Sequence, residues 1–484
     1  MDLLWVILFQ VMYYIRPQEW FGFFASIRFA LIVMLGAIAS LFFRGRGVSP
    51  GQILRTPHDW MVLLFFTWVV FASPTPFDTF KEIYSLPITY FVVVLTLSTI
   101  PRMKRYLGWW TFLIVAIAAL AVASEYGFDP LGGYDITHGR MKDRLMLNLS
   151  IFRNPNALGH NVVPAIPMLY FFCIWRRPLF MKEIGYAFLI LPLYCIYATQ
   201  SKGAFLTGAA TVLATFTFGR PKTVQVLIIC LAFAGGGTAV YALPRMNELQ
   251  KAKTDDAIKG RVAAFTHGLK RIEESTWGIG YKHWLKDFYA AHHFNKAAHS
   301  SYVQIGAELG YPGFFLFLGI MYCNFRTLIT AKTVDDDEER IRRILFVLAV
   351  SYALSSWMVD LGYRPTFFMF SACIAAFHRH LHGVTVDEEQ METIESEPAP
   401  VPLAMWRGRL LPQPSMEAAF ARMGADTAVM ALEAEGEAAP SIAGGPPVSR
   451  IGGAWNRLGL IDLAFMIAIT IATVKFWRII LTRM

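Results

Sequence analysis

His299-Ser300-Ser301-Tyr302-Val303-Gln304-Ile305-Gly306-Ala307-Glu308-Leu309-Gly310-Tyr311-Pro312-Gly313 joins a long, basic, His-rich polar segment to the start of an apolar helix. A His stands at the mouth, and a carboxylate follows about two and a half turns further in. Ser301, Gln304 and Glu308 are spaced i, i+3, i+7 and share one helix face. Polar groups inside a bilayer are costly, so their presence points to function. The stretch reads as a catalytic or binding site at a membrane–water boundary, entering a membrane helix.

The rest of the chain fits that reading. Of 484 residues, 55% are hydrophobic and 16% charged, which excludes an ordinary soluble domain. Mean hydropathy is +0.43. Apolar runs with the length of a bilayer crossing place spans near 3–15, 26–43, 58–73, 82–99, 106–124, 157–175, 184–200, 203–219, 224–243, 301–325, 344–361 and 365–379. The expectation is an all-α polytopic membrane protein with about 12 core helices over residues 1–380. A disordered cytoplasmic tail follows over 381–458, rich in acidic residues and then in Ala, Pro and Gly. A further apolar helix over 459–484 is either a thirteenth span or a surface helix. Lys475, Arg478 and Arg483 oppose export of its end.

The net charge of +9 is read as topology rather than as nucleic-acid binding. Arg44/Arg46/Arg55, Arg102/Lys104/Arg105, Arg176/Arg177/Lys182, Arg220/Lys222, Arg326/Lys332/Arg340/Arg342/Arg343 and Arg379 fall in every second loop. With the N-terminus inside, all six clusters are cytoplasmic. Residues 125–156 and 244–300 then face outward. They nevertheless carry Arg140, Lys142, Arg144 and Arg153 in the first and ten Lys/Arg against six Asp/Glu in the second. An anionic ligand would explain cations on that side.

Gly260-Arg261 opens an expected surface helix running to about Glu274, and Trp277-Gly278-Ile279-Gly280-Tyr281 is an expected turn, together a lid or platform over the mouth. Asn154-Pro155-Asn156 either starts a helix by turn chemistry or touches a ligand. Lys202, in Gln200-Ser201-Lys202-Gly203, is either solvated or directed into the external vestibule. Glu308 must be paired, neutral or near water. His292-His293 lacks acidic or Cys partners at ligand spacing, so no metal is expected. Asp335-Asp336-Asp337-Glu338-Glu339 is expected to be a solvated charge run. The five Cys are scattered through apolar spans and read as small buried hydrophobes.

His-x-Ser-Tyr, five residues, then Glu-x-Gly-x-x-Gly, entering a helix after a long external loop, resembles the O-antigen ligase/polymerase superfamily. Asn154-Pro155-Asn156, Ser201-Lys202-Gly203 and Gly260-Arg261 with Trp277-Gly278-Ile279-Gly280 match its other segments in order. The resemblance covers about residues 60–380. It departs at Lys202, where the family usually carries Arg. That keeps the charge but loses the bidentate fork.

The resemblance implies a bacterial inner-membrane glycosyltransferase that moves a glycan from undecaprenyl diphosphate onto an acceptor hydroxyl on the periplasmic face. The acceptor is a lipid A core sugar for a ligase or the end of a growing glycan for a polymerase. Attack opposite the diphosphate would invert the anomeric centre, and basic residues on an external side with no Asp-x-Asp suggest transfer without a metal; no cofactor is expected. His299 and Arg261 would be catalytic, with Arg261, Lys202 and Arg153 on the diphosphate. Ser301, Tyr302, Glu308, Asn154 and Asn156 would be structural or orienting. A ligase is the leading reading and a polymerase the alternative. A transporter is a competing class, disfavoured because the polar groups cluster at external ends rather than at mid-membrane; a non-catalytic export scaffold is a third, which should keep its function when His299 is replaced by Ala.

Overall fold

A computed structural model describes residues 2–24, 28–42, 53–139, 143–242, 256–382 and 455–483. The chain divides into two units, residues 1–385 with 450–484, and residues 386–449. The second unit lies outside the described residues, as do Arg44, Arg46, Arg140, Lys142 and nearly all of the expected tail.

Among the described residues every regular element is helical. The main helices are α1 (Asp2–Tyr14), α2 (Phe29–Phe42), α3 (Pro57–Phe71), α4 (Ser85–Thr96), α5 (Ile100–Glu125), α6 (Pro155–Ile174), α7 (Leu179–Ala198), α8 (Lys202–Thr217) and α9 (Lys222–Ala242). They continue with α10 (Asp256–Glu274), α11 (Trp284–His292), α12 (Ser301–Thr330), α13 (Asp336–Ser355), α14 (Pro365–Leu381) and α15 (Leu460–Arg483). Five of them, α5, α6, α7, α12 and α15, are long and apolar enough to cross a membrane. The protein is therefore a helical membrane protein.

The helices begin where local chemistry allows. Thr56 and Asp59 form a reciprocal capping box at α3, with Pro57 at the first helical position. Asn154 caps α6 and Ser300 caps α12 through side-chain acceptors. α6 carries Pro164 and Pro167 and ends in a π-helical turn at Tyr170–Ile174, the irregularity expected where proline removes backbone donors.

Cations and carboxylates gather at one end of the bundle. Arg102 grips Asp2 at 2.8 Å, and Arg379 meets the fully buried Asp59 at 2.8 Å, where Tyr90 also donates. The Asp335–Glu339 run lies at this end, and here the structure corrects part of the expectation of a solvated charge run: Asp335 and Asp336 are exposed, but Glu338 is buried and the run is held by specific partners. Asp335 caps α13. Asp336 pairs with Arg176, Asp337 with Lys104 and Arg340, Glu338 with His380, and Glu339 with Arg342 and Arg343. Carboxylates suit the positive end of a helix dipole, and here they also bind several basic loops to one helix.

The C-terminal helix is laid antiparallel along α12. Asp462 near its start accepts from Tyr322 at 2.6 Å and lies 3.7 Å from Arg326. Near its end Trp477 is fully buried, donates to the Phe265 carbonyl at 3.1 Å and packs over Gly268 and Gly306. Arg478 pairs with Glu273 of α10. The apolar helix thus braces both α12 and the loop helix α10. Trp477→Ala should cost about 3–5 kcal/mol, as for a large buried aromatic. Thermal unfolding of the full chain in detergent measures this, and an unchanged midpoint would refute the bracing role.

Candidate functional site

At the end opposite the acidic run, the amphipathic α10 lies on α12. Gly268 allows the approach, because a Cβ there would come 2.5 Å from Val303 and 3.1 Å from Trp477. α10 is clasped to α11 by Asp287, which receives His267 and Arg271, each at 2.7 Å. Burial holds His267 below its ordinary pKa, against the opposing pull of Asp287.

The Trp277–Tyr281 turn has a specific task. α12 breaks at Gly310, whose φ of 62° and ψ of −165° suit glycine alone. Pro312 carries no N–H, so the Glu308 carbonyl has no helical donor. The turn supplies donors instead. Ile279 N–H donates to Ala307 at 3.0 Å and Gly280 N–H to Glu308 at 2.8 Å, while Trp68 Nε1–H reaches Leu309 at 2.9 Å. In return Tyr311 N–H donates to Thr276 at 3.1 Å. Broken backbone at membrane depth persists only where protein satisfies it in this way.

Glu308 itself is fully buried, and one of its oxygens accepts from Trp284 N–H at 3.2 Å. It faces the loop, and its other oxygen is buried without a hydrogen-bond partner, as is the hydroxyl of Tyr363.

Ser301 and Tyr302 fasten the α13–α14 connection. Ser301 Oγ donates to Val359 at 3.0 Å and accepts from Leu361 N–H at 2.7 Å, and its own N–H reaches Ser356 at 2.7 Å. Tyr302 donates to Ala353 at 2.9 Å and lies against Trp357. These bonds hold Asp360 and Arg364 beside His299.

The result is a cavity of about 390 Å³. Arg153, Asn154 and Asn156 line it from the start of α6, and His299 from the start of α12. Asp360 and Arg364 come from the α13–α14 connection, and Tyr13 from α1. Arg144 steadies the wall by donating to Asn156 at 2.8 Å and to the Thr199 carbonyl at 3.1 Å.

Arg261, half-buried near the start of α10, acts electrostatically on both His299 and Asp360. His299 is half-buried with a left-handed backbone, φ 51°. Burial, then the charges of Arg261 and Lys296, hold its imidazole down at about 4. Burial pushes the Asp360 carboxyl up to about 6, against Arg364, the Ser300 amide and Arg261. One Asp360 oxygen is shut away without a hydrogen-bond partner.

Of the residues expected from sequence, the cavity wall therefore unites His299, Arg153, Asn154 and Asn156, with Arg261 in electrostatic range. Ser301, Tyr302 and Glu308 do not line it; they secure the segments that do. Lys202 does not line it either. It is the half-buried first residue of α8, beside Gly203, which packs against His160 and Met358. Asp360, Arg364, Asn161 and Tyr13 were not anticipated. The available signal was Asp360-Leu361-Gly362-Tyr363-Arg364, two charges in a short connection between apolar runs. Among the described residues no group of three or more His, Cys, Asp or Glu is placed to hold a metal.

No curated protein matches this chain. Residues 187–318 match the family model described as O-Antigen ligase. That stretch contains Lys202, Arg261, the Trp277–Tyr281 turn and the whole of His299–Gly313, whereas Arg153 to Asn156, Asp360 and Arg364 lie outside it. The likeness to the O-antigen ligase family is thus carried by residues 187–318, within a helical membrane protein.

Proposed function

We propose that this protein is an inverting, metal-independent glycosyltransferase of the bacterial inner membrane. It moves a glycan from undecaprenyl diphosphate to an acceptor hydroxyl on the periplasmic face. In this reading about 12 helices of residues 1–380 cross the bilayer and α15 crosses as a thirteenth. The acidic hub at Asp335–Glu339 is cytoplasmic, and 125–156 and 244–300 are periplasmic. The exposed Leu193 of α7 and Ile467 of α15 meet lipid. The observation that carries the proposal is the cavity itself, where one imidazole and one carboxylate stand among Arg153, Arg364 and Arg261.

The chemistry follows from those charges. The acceptor oxygen attacks the anomeric carbon opposite the diphosphate. The bond from that carbon to the diphosphate oxygen breaks, and the lipid diphosphate leaves with the electron pair. Negative charge grows on the leaving group, so Arg261, Arg153 and Arg364 stabilise the transition state more than the ground state. Lys202 contributes charge from behind the wall. The acceptor proton passes to His299. A lipid A core sugar is the leading acceptor and the end of a growing glycan the alternative.

Asp360 is a second candidate for the base, favoured by its shielded oxygen and by a pKa nearer neutrality. The pH dependence of kcat/KM separates the two, because it reports the free enzyme. A base works only when deprotonated. With His299 held at about 4, the rate stays level as pH falls through 6 and drops only near 4. With Asp360 as base the drop begins near 6. With His299 as base, Asp360→Asn should keep an acid limb near 4. A loss of more than about 10²-fold in Asp360→Asn, with protein level unchanged, would transfer the role to Asp360.

A further inference from the structure

A second basic cavity, of about 530 Å³, opens at the other end of the bundle, the end of the acidic hub. Its walls come from the end of α6, the start of α7, the α8–α9 turn and α13. Arg176, Lys182, Arg220 and Arg343 converge on it, and no carboxylate lines it. Two of the four cations are already engaged. Arg176 pairs with Asp336, and Arg343 is spent on Glu339 and on the carbonyls of Phe218 and Gly219. Among the described residues Lys182 and Arg220 make no ion pair. Trp175 forms an aromatic floor, with Arg176 4.7 Å and Arg343 5.0 Å from its ring.

Topology alone requires positive charge in these loops, but not four cations converging on one concavity. Next to the opening, Leu179 and Phe180 are each 71% exposed on α7, and Tyr186 is exposed as well. In the topology proposed above this charged pocket lies at headgroup depth, and with a bare apolar helix face and a Trp beside it, it has the composition of a site for an anionic lipid.

We propose that this cavity binds the phosphate of an anionic membrane lipid through Lys182 and Arg220, with the acyl chains lying along α7. Arg176 and Arg343 shape the pocket rather than compete for the ligand, because their own partners are within the protein.

The test uses the full-length purified protein. Retained lipid is read by native mass spectrometry and thermal stabilisation in detergent, adding phosphatidylglycerol, phosphatidylcholine or inorganic phosphate. Wild type is expected to retain and be stabilised by phosphatidylglycerol but not phosphatidylcholine. K182Q/R220Q should bind it about thirtyfold more weakly, the effect of two charges near a membrane surface. The charge-retaining K182R/R220K should bind as wild type does, and R220Q alone serves if the double variant does not fold. Equal binding by K182Q/R220Q, or no preference over phosphatidylcholine, overturns the site. If inorganic phosphate alone stabilises the protein and displaces the lipid, the phosphate site stands and its source is soluble.

Discussion

Replacing Arg261 with Ala is expected to lower transfer from a lipid-diphosphate donor by about 10²–10³-fold, the cost of removing one charge-stabilising group from a transition state. Arg261 is the cation whose field reaches both His299 and Asp360, so its loss acts where charge is transferred. The defect should fall mainly on kcat, because charge builds on the diphosphate only as the bond breaks. Arg261→Lys keeps the charge without the planar fork and should recover part of the rate. Purified protein and a lipid-linked glycan are sufficient for the measurement. A rise in KM alone would make Arg261 a binding group rather than a stabiliser of the leaving diphosphate.

The second large effect is structural. Gly310→Ala places a Cβ where φ is +62°, 2.7 Å from Gly278 N. Gly278→Ala meets the same contact from the other side, 2.5 Å from Gly310 N, at φ +84°. Either change must push the turn off α12. That strands the carbonyls of Ala307 and Glu308 and unseats the buried Glu308. An unsatisfied buried carbonyl costs about 1–3 kcal/mol, and forced backbone strain adds about 1–3 kcal/mol more. Folded protein should therefore fall sharply. The readouts are yield in membranes and protease resistance of the 274–284 segment. Normal yield and normal protection would mean that the turn does not depend on this glycine contact.

Much of the helical layout was legible in the apolar runs. The expected 58–73 appears as Pro57–Phe71, 203–219 as Lys202–Thr217 and 365–379 as Pro365–Leu381. The length criterion behaved differently. α3 and α4 have fewer than the roughly 20 residues of a typical crossing, since Pro57 starts one and the other is confined between the Pro76–Ile83 helix and a turn at Leu97.

Charge rules alone left α15 undecided because its end is basic. Its placement comes from features no periodicity reveals, namely a Trp seated over two glycines and an Asp meeting Tyr322. Single-residue polarity was the limit at Asp335–Glu339 too: a charge run reads as solvated until the cations of distant loops are placed around it.

The site was half legible. His299, Arg153, Asn154 and Asn156 stood out as polar residues at span entrances, and all line the cavity. Asp360 and Arg364 escaped because their connection is short and its partner, Ser301, is about 60 residues away in sequence. Glu308 drew attention as an intramembrane carboxylate. What it does is set by Trp284 and by the kink at Gly310, a relation between two separate motifs.

The most direct test of the account is the size of lipid-linked glycan in cells lacking this gene, then supplied with wild type or His299→Ala at equal protein level. Carrier-linked glycan should accumulate without the gene, clear with wild type and persist with His299→Ala. Long polymer on the carrier marks a ligase and single repeat units mark a polymerase. Carrier-linked material unchanged in all three strains, or full clearance by His299→Ala, would contradict it.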